Sequence, residues 1–177
     1  MKVIAYIAQS LDGYIAGKNG ELDWLEDIEN PEKDDCGFAE FMSSIDALLI
    51  GRNTYEKVAS FEVWPYDKFV YVASNSLSHV EKELSEKVKI LTGSLPNMLS
   101  KLESDGIKKV YIDGGKLIQN AVELGLLNEI TVTTIPIILG DGIPLFGLSG
   151  RQTKLKLEKS EVLLNQLVKT KYNVVAT

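Results

Sequence analysis

"VYIDGGKLIQNAVELG", residues 110–125, joins a short apolar strand pattern to a helical pattern and places two glycines where the helix should begin. Leu117, Ile118 and Ala121 fall on one helical face, which predicts a helix packed against a core. Glycine inside a helical turn costs about 0.5–1 kcal/mol relative to alanine, so Gly114 and Gly115 weaken the first turn. The backbone at this junction is therefore expected to serve another purpose.

The composition predicts one domain spanning residues 1–177. Of the 177 residues, 45% are hydrophobic and 25% are charged, and no internal repeat or low-complexity stretch marks a linker. The formal net charge is −6, so a basic surface that could neutralise a run of nucleic-acid phosphates is not expected. An anionic ligand would have to be held by local groups.

The sequence predicts neither a membrane span nor a site for metal or thiol chemistry. No apolar run reaches the ~20 residues of a membrane span, and the chain begins with strand-like MKVIAYIAQS, which predicts a cytoplasmic location and no membrane partner. Cys36 and His79 are the only residues of their types, so one chain cannot form a disulfide, a Cys/His zinc site or a Cys–His nucleophilic pair. We expect no bound metal.

Strand and helix patterns alternate over the first 125 residues, which favours an α/β fold with a mainly parallel sheet. Strands are predicted near 2–9, 46–50, 68–73, 88–91 and 109–112, and helices near 37–44, 53–59, 95–104 and 116–124. Beyond Gly125, three long strands are predicted in EITVTTIPIIL, TKLKLEKSEVL and VKTKYNVVAT. The last two alternate in polarity and are joined by a short connection, so the C-terminal sheet edge should be antiparallel.

The glycine pair is a candidate phosphate site. Asp113 can cap the helix and Gly125 can end it. A helix N-terminus offers free N–H groups and a partial positive charge, and glycine lets a diphosphate approach the backbone. The alternative is a junction that needs positive φ or close packing. The pattern matches neither the GxGxxG fingerprint nor the P-loop, so neither of those sites is predicted.

Two further strand ends carry polar groups at the same predicted sheet edge. Gly51-Arg52-Asn53-Thr54 follows a buried-type strand, and Val72-Ala-Ser-Asn75 ends the next one. Arg52 is one of only two arginines, with Arg151, and an arginine beside a helix N-terminus suits a phosphate. The alternatives are a solvated Arg52 with Thr54 as a cap, and a plain turn at Ser74. Open α/β sheets bind ligands at this edge.

Five motifs in order, "SLDGYIAG", "LDWL", "ALLIGRNTYE", "YIDGGKLI" and "GLLNEITVTTIPIILGDGIPLF", resemble the dihydrofolate reductase superfamily. The resemblance is closer to the branch that includes the C-terminal reductase domain of the bifunctional riboflavin-biosynthesis deaminase/reductase. It implies a three-layer α/β fold that binds NADPH, with a central, mostly parallel sheet of about eight strands and an antiparallel C-terminal edge.

The resemblance also implies roles for individual residues. The cofactor phosphates would meet Gly51, Arg52, Asn53 and Thr54, and the adenosine 2′-phosphate would meet Ser74 and Asn75. The diphosphate would contact Gly114 and Gly115, often joined by a cis peptide in the family, with Lys116, Leu117 and Ile118 beside them. Ala8 and Ile15 would line the nicotinamide.

The residues around the expected substrate depart from folate reductases. Leu22-Asp23-Trp24 stands where a Pro-Trp pair is usual, and Lys68 stands near the place of the arginine that binds the folate tail. The main hypothesis is therefore an NADPH-dependent reductase of a C=N or similar bond in a small heterocyclic or imine-containing substrate. The alternatives are a genuine dihydrofolate reductase and a non-catalytic NADP(H)-binding protein.

Asp35 is the candidate proton donor. In dihydrofolate reductases the catalytic carboxyl lies on the first helix, about sixteen residues before the GR motif, and partial burial would raise the pKa of Asp35 toward a useful range. The alternative is a solvated helix start in the charged run 32–35, with Asp34 or Glu40 as substitutes. Trp24, Phe38 and Phe41 could wall the acceptor pocket or belong to the core.

A homodimer is also predicted. Relatives of the riboflavin reductase domain commonly pair, and the apolar stretch EITVTTIPIIL could leave surface for a second copy to bury.

Overall fold

The computed structural model describes residues 1–147, 150 and 152–175, and ten strands and four α-helices lie within them. The strands are β1 Lys2–Ser10, β2 Tyr14–Ala16, β3 Ala47–Gly51, β4 Phe69–Ala73, β5 Val88–Leu91, β6 Lys109–Asp113, β7 Glu129–Ile135, β8 Ile143–Pro144, β9 Leu155–Leu163 and β10 Leu167–Val174. The helices are α1 Phe38–Ser43, α2 Arg52–Ala59, α3 Leu95–Ser104 and α4 Gly115–Glu123.

Eight strands form one sheet in the order β5-β4-β3-β6-β1-β7-β10-β9. The first six in this order run parallel to their neighbours, whereas β10 is antiparallel to both β7 and β9. The predicted α/β fold with a mostly parallel sheet and an antiparallel C-terminal edge is confirmed. The pair β2 and β8 forms a separate small sheet that the sequence did not reveal, because two or three residues are too few to show a period.

The helices cover the two faces of the sheet and give three layers. One apolar cluster joins α3 and α4 to one face, and a second joins α2 and the end of α1 to the other. The central strand β3 contributes Leu49 to the first cluster and Leu48 and Ile50 to the second. Burial on both faces explains why β3 reads as a continuous apolar run instead of an alternating one.

The C-terminal strands differ from the prediction in their ends. β7 stops at Ile135 because Pro136 has no N–H for the ladder, so the predicted strand is four residues too long. Most of β7 is buried, so EITVTTI does not supply the exposed surface that was expected for a dimer. The end of the predicted last strand, residues 176 and 177, lies outside the described residues.

A tight turn fixes the hairpin of β9 and β10. Leu164 and Asn165 both have positive φ, 51° and 55°, and the N–H of Gln166 donates to the carbonyl of Leu163. A hairpin turn with two successive residues in the left-handed region has a twist that matches the twist of the flanking strands.

None of the helices within the described residues is long and apolar enough to cross a membrane.

Truncation of a central core residue should destabilise the fold strongly. Leu48 in β3 has a relative exposure of 0%, so Leu48→Ala should lower the free energy of unfolding by about 2–5 kcal/mol. Leu11 is 65% exposed, so Leu11→Ala should change it by less than about 1 kcal/mol. Urea unfolding at neutral pH measures both values, and equal losses for the two variants would contradict the observed core.

Candidate active site

The strand-to-helix junctions of β3 and β6 meet at the carboxyl edge of the sheet, where these two strands are neighbours. Gly114 has a φ of 107°, and a Cβ built on it would lie 3.0 Å from Thr54 Oγ1 and 3.6 Å from the backbone N of Gly51. A Cβ on Gly115 would lie 2.7 Å from Ile15 Cδ1. Close packing and positive φ therefore explain both glycines, and they bring the N-termini of α2 and α4 together.

Neither of these two helix N-termini receives a side-chain cap from the part of the chain that the structure describes. Gly51 and Gly114 occupy the cap positions of α2 and α4. Asp113 does not cap α4, contrary to expectation, since its Oδ1 accepts a hydrogen bond of 2.8 Å from the N–H of Gly114. First-turn N–H groups of α2 and α4 are consequently free to bind an anion.

The expected cis peptide between Gly114 and Gly115 is absent, because no peptide bond among the described residues is cis. Beyond the pair, Lys116 is exposed, whereas the side chains of Leu117 and Ile118 are buried in the core. The backbone N–H groups of Leu117 and Ile118 already donate to the carbonyl of Gly114. Direct contact between these two residues and a ligand is therefore unsupported.

Arg52 lies beside this edge and reaches the end of β4. Its Nε donates to Glu56 Oε1 over 2.6 Å, and its Nη1 donates to Ser76 Oγ over 2.9 Å. The guanidinium is about half exposed, so a ligand can approach it from solvent. Ser76 was missed by the sequence reasoning, because nothing in the pattern of residues 72–76 showed which hydroxyl would face Arg52.

The two residues predicted to bind the 2′-phosphate are both engaged in loop structure. Ser74 is buried, and its Oγ accepts hydrogen bonds from the N–H groups of Ser76 and Leu77. Asn75 is exposed, and its Oδ1 accepts a hydrogen bond from the N–H of Gly93. The predicted turn at this position is thus present, and it positions Ser76 next to Arg52.

The two residues predicted to line the nicotinamide lie at the end of β1, which contains Ala8, and in the short strand β2, which contains Ile15. Ile15 packs against Gly115, and Ala8 packs against an apolar cluster that contains Trp24. Asp12 fixes the intervening loop, since its carboxylate accepts hydrogen bonds from Ser10 Oγ and from the N–H groups of Leu139 and Gly140.

Aromatic rings pack between α1 and the sheet. The ring of Tyr6 stacks on the ring of Phe41 with centroids 4.4 Å apart. Phe38 meets the ring of Tyr6 edge-on, with centroids 5.8 Å apart. Tyr111 meets Phe41 at 5.0 Å, and its hydroxyl donates to the carbonyl of Tyr6. Burial raises the pKa of Tyr6 to about 12 and the pKa of Tyr111 well above its usual value, so both hydroxyls keep their protons.

Two buried indole groups have unused donors. Nε1 of Trp24 and Nε1 of Trp64 have no hydrogen-bond partner among the described residues. Trp24 shares its cluster with Ala8, and Trp64 packs edge-on against Tyr55 and Tyr66. Buried N–H groups without a partner are uncommon, and a ligand atom or water would satisfy them.

Asp113 is a carboxyl group that the sequence reasoning did not assign to chemistry. Burial raises its pKa to about 6, although the hydrogen bond from the Gly114 N–H and the proximity of the Tyr111 hydroxyl oppose the rise. The sequence feature that could have pointed to Asp113 is its position at the end of a buried strand, directly before the glycine pair. A pKa near neutrality is typical of groups that exchange protons.

Asp35 has the opposite environment from the one expected. It is exposed, and its Oδ1 and Oδ2 accept hydrogen bonds of 2.8 Å from the N–H groups of Gly37 and Ala39 at the start of α1. These backbone hydrogen bonds lower its pKa, whereas a general acid needs it raised. The expected pKa shift is therefore wrong, and the alternative of a solvated helix start describes this carboxylate. Asp34 and Glu40 are exposed as well.

Within residues 1–147, 150 and 152–175, no group of three or more His, Cys, Asp or Glu side chains is arranged to hold a metal ion. Arg151, the second arginine, lies outside these residues.

The chain shares its fold with reductases of known structure. It resembles Thermotoga maritima diaminohydroxyphosphoribosylaminopyrimidine deaminase/5-amino-6-(5-phosphoribosylamino)uracil reductase with a TM-score of 0.75 and 17% identity, over 98% of this chain and 56% of that one. Enterococcus faecalis dihydrofolate reductase, complexed with NADP(H), gives a TM-score of 0.67 and 18% identity, over 98% of this chain and 96% of that one. Identities this low support the fold alone.

Two further comparisons are more specific. A Shewanella sp. PV-4 protein named for riboflavin biosynthesis matches with a TM-score of 0.95 and 42% identity, over 99% of this chain and 100% of that one. The model of the RibD C-terminal domain matches residues 1–169. On this evidence the chain belongs to the RibD C-terminal domain family.

Proposed function

We propose that the protein is an NADPH-dependent reductase that transfers a hydride to a C=N or similar bond of a small heterocyclic substrate. The observation that carries the proposal is the meeting of two uncapped helix N-termini beside Arg52. Membership in the RibD C-terminal domain family supports it, as does the fold shared with an NADP(H)-complexed reductase. A cytoplasmic location and a homodimeric state remain part of the proposal.

The residues at the edge of the sheet fit the phosphates of NADPH. Free N–H groups at the starts of α2 and α4 would bind the diphosphate. Gly51, Asn53 and Thr54 lie at the start of α2, and Lys116 lies in the first turn of α4. Arg52 with Ser76, on the loop of Ser74 and Asn75, would bind the 2′-phosphate.

The substrate would lie between the end of β1 and the aromatic layer. NADPH, when bound, supplies the hydride there. Ala8 and Ile15 would border the nicotinamide, and flat rings such as Phe38 and Phe41 suit a planar heterocycle. The unpaired Nε1 of Trp24 is a donor for a polar atom of such a ring.

Asp113 is the better proton source of the two candidate carboxyls. Its pKa of about 6 leaves part of the population protonated near neutral pH, and the Gly114 N–H donates to its Oδ1. The lowered pKa of Asp35 keeps that group ionised.

Arg52→Ala should affect the affinities for NADPH and NADH differently. Loss of a charge-assisted contact with the 2′-phosphate should weaken NADPH binding about ten- to a hundredfold, or by ~1.5–3 kcal/mol, and leave NADH binding nearly unchanged. Titration calorimetry with both cofactors measures this difference. Lys57→Ala, at the other end of α2, removes the same charge as a control and should leave both affinities unchanged.

Equal losses for the two cofactors in Arg52→Ala would assign Arg52 to the shared diphosphate or to the fold. No loss for either would show that Arg52 is an ordinary surface residue.

Asp113→Asn should change the pH dependence of stability. The folded-state pKa of Asp113, about 6, lies above its usual value of 3.8, so its contribution is fully present below about pH 4 and is lost as the pH rises through 6. Between pH 4 and pH 7, the free energy of unfolding of the wild type should therefore fall by about 2–3 kcal/mol relative to that of Asp113→Asn. Urea unfolding at several pH values measures the difference.

Asp35→Asn is the matched control, and the stability of the wild type relative to this variant should change with pH in the opposite direction. Because backbone hydrogen bonds lower the pKa of Asp35, its contribution to stability is present above the usual pKa of 3.8 and is lost as the pH falls. Parallel pH profiles for the two variants would refute the assignment of different environments to these carboxyls.

Substrate assays distinguish the remaining alternatives. With NADPH, the protein should reduce 5-amino-6-(5-phosphoribosylamino)uracil or a related small heterocycle, and Asp113→Asn should slow turnover by roughly a hundredfold or more. Oxidation of NADPH followed at 340 nm reports the rate. Robust turnover of dihydrofolate would instead favour a genuine dihydrofolate reductase, and NADPH binding without turnover of any of these compounds would favour a binding protein.

A further inference from the structure

The guanidinium of Arg52 is held by two neighbours on the protein itself. Its Nε donates to Glu56 Oε1 over 2.6 Å, one turn further along α2, and its Nη1 donates to Ser76 Oγ over 2.9 Å. An arginine has five N–H donors, so three remain. They have no hydrogen-bond partner among the described residues and are available to an anion.

The carboxylate of Glu56 is only partly used by this pair. The side chains of Arg52 and Glu56 are each 46% exposed, and no hydrogen bond reaches Glu56 Oε2 from the part of the chain that the structure describes. A carboxylate with an unused acceptor oxygen therefore lies beside the cation that the 2′-phosphate of NADPH would contact. In a site made for a phosphate alone, this negative charge has no purpose.

Positioning of Arg52 is a weak explanation for Glu56. An exposed ion pair at i and i+4 of a helix holds its side chains only loosely, because water and salt compete for both charges. Ser76, on the loop after β4, already fixes another edge of the guanidinium without adding a charge. The main effect of Glu56 is therefore expected on the ligand itself.

A phosphate bound to Arg52 would be repelled by Glu56. At neutral pH a phosphate monoester carries a charge of about −1.5 to −2. On the outer N–H groups of the same guanidinium, it would lie within roughly 8 Å of the Glu56 carboxylate, which is one Debye length at physiological salt. Screening of the repulsion is thus incomplete, and Glu56 should weaken NADPH binding about three- to tenfold.

The same carboxylate suits a ribose that carries no phosphate. NADH has a hydroxyl at the 2′ position, and an Asp or Glu that accepts a hydrogen bond from this hydroxyl is the usual feature of NAD sites. Glu56 Oε2 can accept such a bond, which should strengthen NADH binding about two- to tenfold. Successive turns of α2 therefore carry one group that favours the phosphate, Arg52, and one that favours the hydroxyl, Glu56.

We propose that Glu56 sets the cofactor selectivity of this site and that the protein binds NADH as well as NADPH. This inference rests on the proposed reductase function and extends it from one nicotinamide cofactor to two. Arg52 favours NADPH about ten- to a hundredfold, and both effects of Glu56 oppose that preference. The wild-type affinities for the two cofactors should therefore lie within about tenfold of each other.

Glu56→Gln changes the two affinities in opposite directions. The amide keeps the size of the side chain but removes its charge, so NADPH binding should tighten about three- to tenfold and NADH binding should weaken about twofold or more. Titration calorimetry of the full chain with each cofactor, at about 0.15 M salt, measures both. Asp105→Asn removes the carboxylate of another i,i+4 pair, with Lys101 of α3, and should leave both affinities unchanged.

The same substitution in an Arg52→Ala background separates a direct effect of Glu56 from one that acts through Arg52. Repulsion acts on the phosphate itself, so the double variant should bind NADPH about three- to tenfold more tightly than Arg52→Ala alone. If Glu56 only positioned Arg52, its substitution would have no effect in this background, and the proposal would fail.

Two other results would overturn the role of Glu56 and leave the proposed function standing. One is a Glu56→Gln variant with the wild-type ratio of the two affinities, and the other is a wild type that binds NADPH more than about a thousandfold more tightly than NADH. A wild type that binds neither cofactor would instead refute the proposed reductase function, and this inference with it.

Discussion

Gly114 has a φ of 107°, and a Cβ on it would lie 3.0 Å from Thr54 Oγ1, so a side chain between the two strand-to-helix junctions is strongly disfavoured. This contact aligns the starts of α2 and α4, and with them two sets of free N–H groups and the positive ends of two helix dipoles. The whole chain carries a net charge of −6, so an anion is attracted only where such local groups converge.

The two faces of the sheet have different chemistry. The face under α3 and α4 is an apolar core, whereas the face under α1 and α2 also holds Tyr6, Tyr111, Asp113 and the buried polar side chains of Glu129, Thr131 and Thr133. Removing a carboxyl from water without a cation nearby raises its pKa, which is how Asp113 comes to titrate near neutrality. Asp35 remains in water and keeps its charge.

The C-terminal hairpin separates charge from apolar surface by strand alternation alone. Lysines and glutamates on one face neutralise each other within the chain, which leaves the apolar side chains on the other face as its distinguishing feature. Because most of β7 is buried within its own sheet, EITVTTI does not supply the exposed surface on which the dimer prediction rested.

The sequence by itself determined the succession of strands and helices, the antiparallel C-terminal edge and the glycine junction, because each depends on neighbouring residues and their period. Its motifs were also sufficient to identify the family. Only the tertiary structure decided which carboxyl has a raised pKa, which serine meets Arg52 and which apolar face stays open. Those properties depend on distances between residues far apart in the chain and on the water that packing excludes, and no local pattern records either.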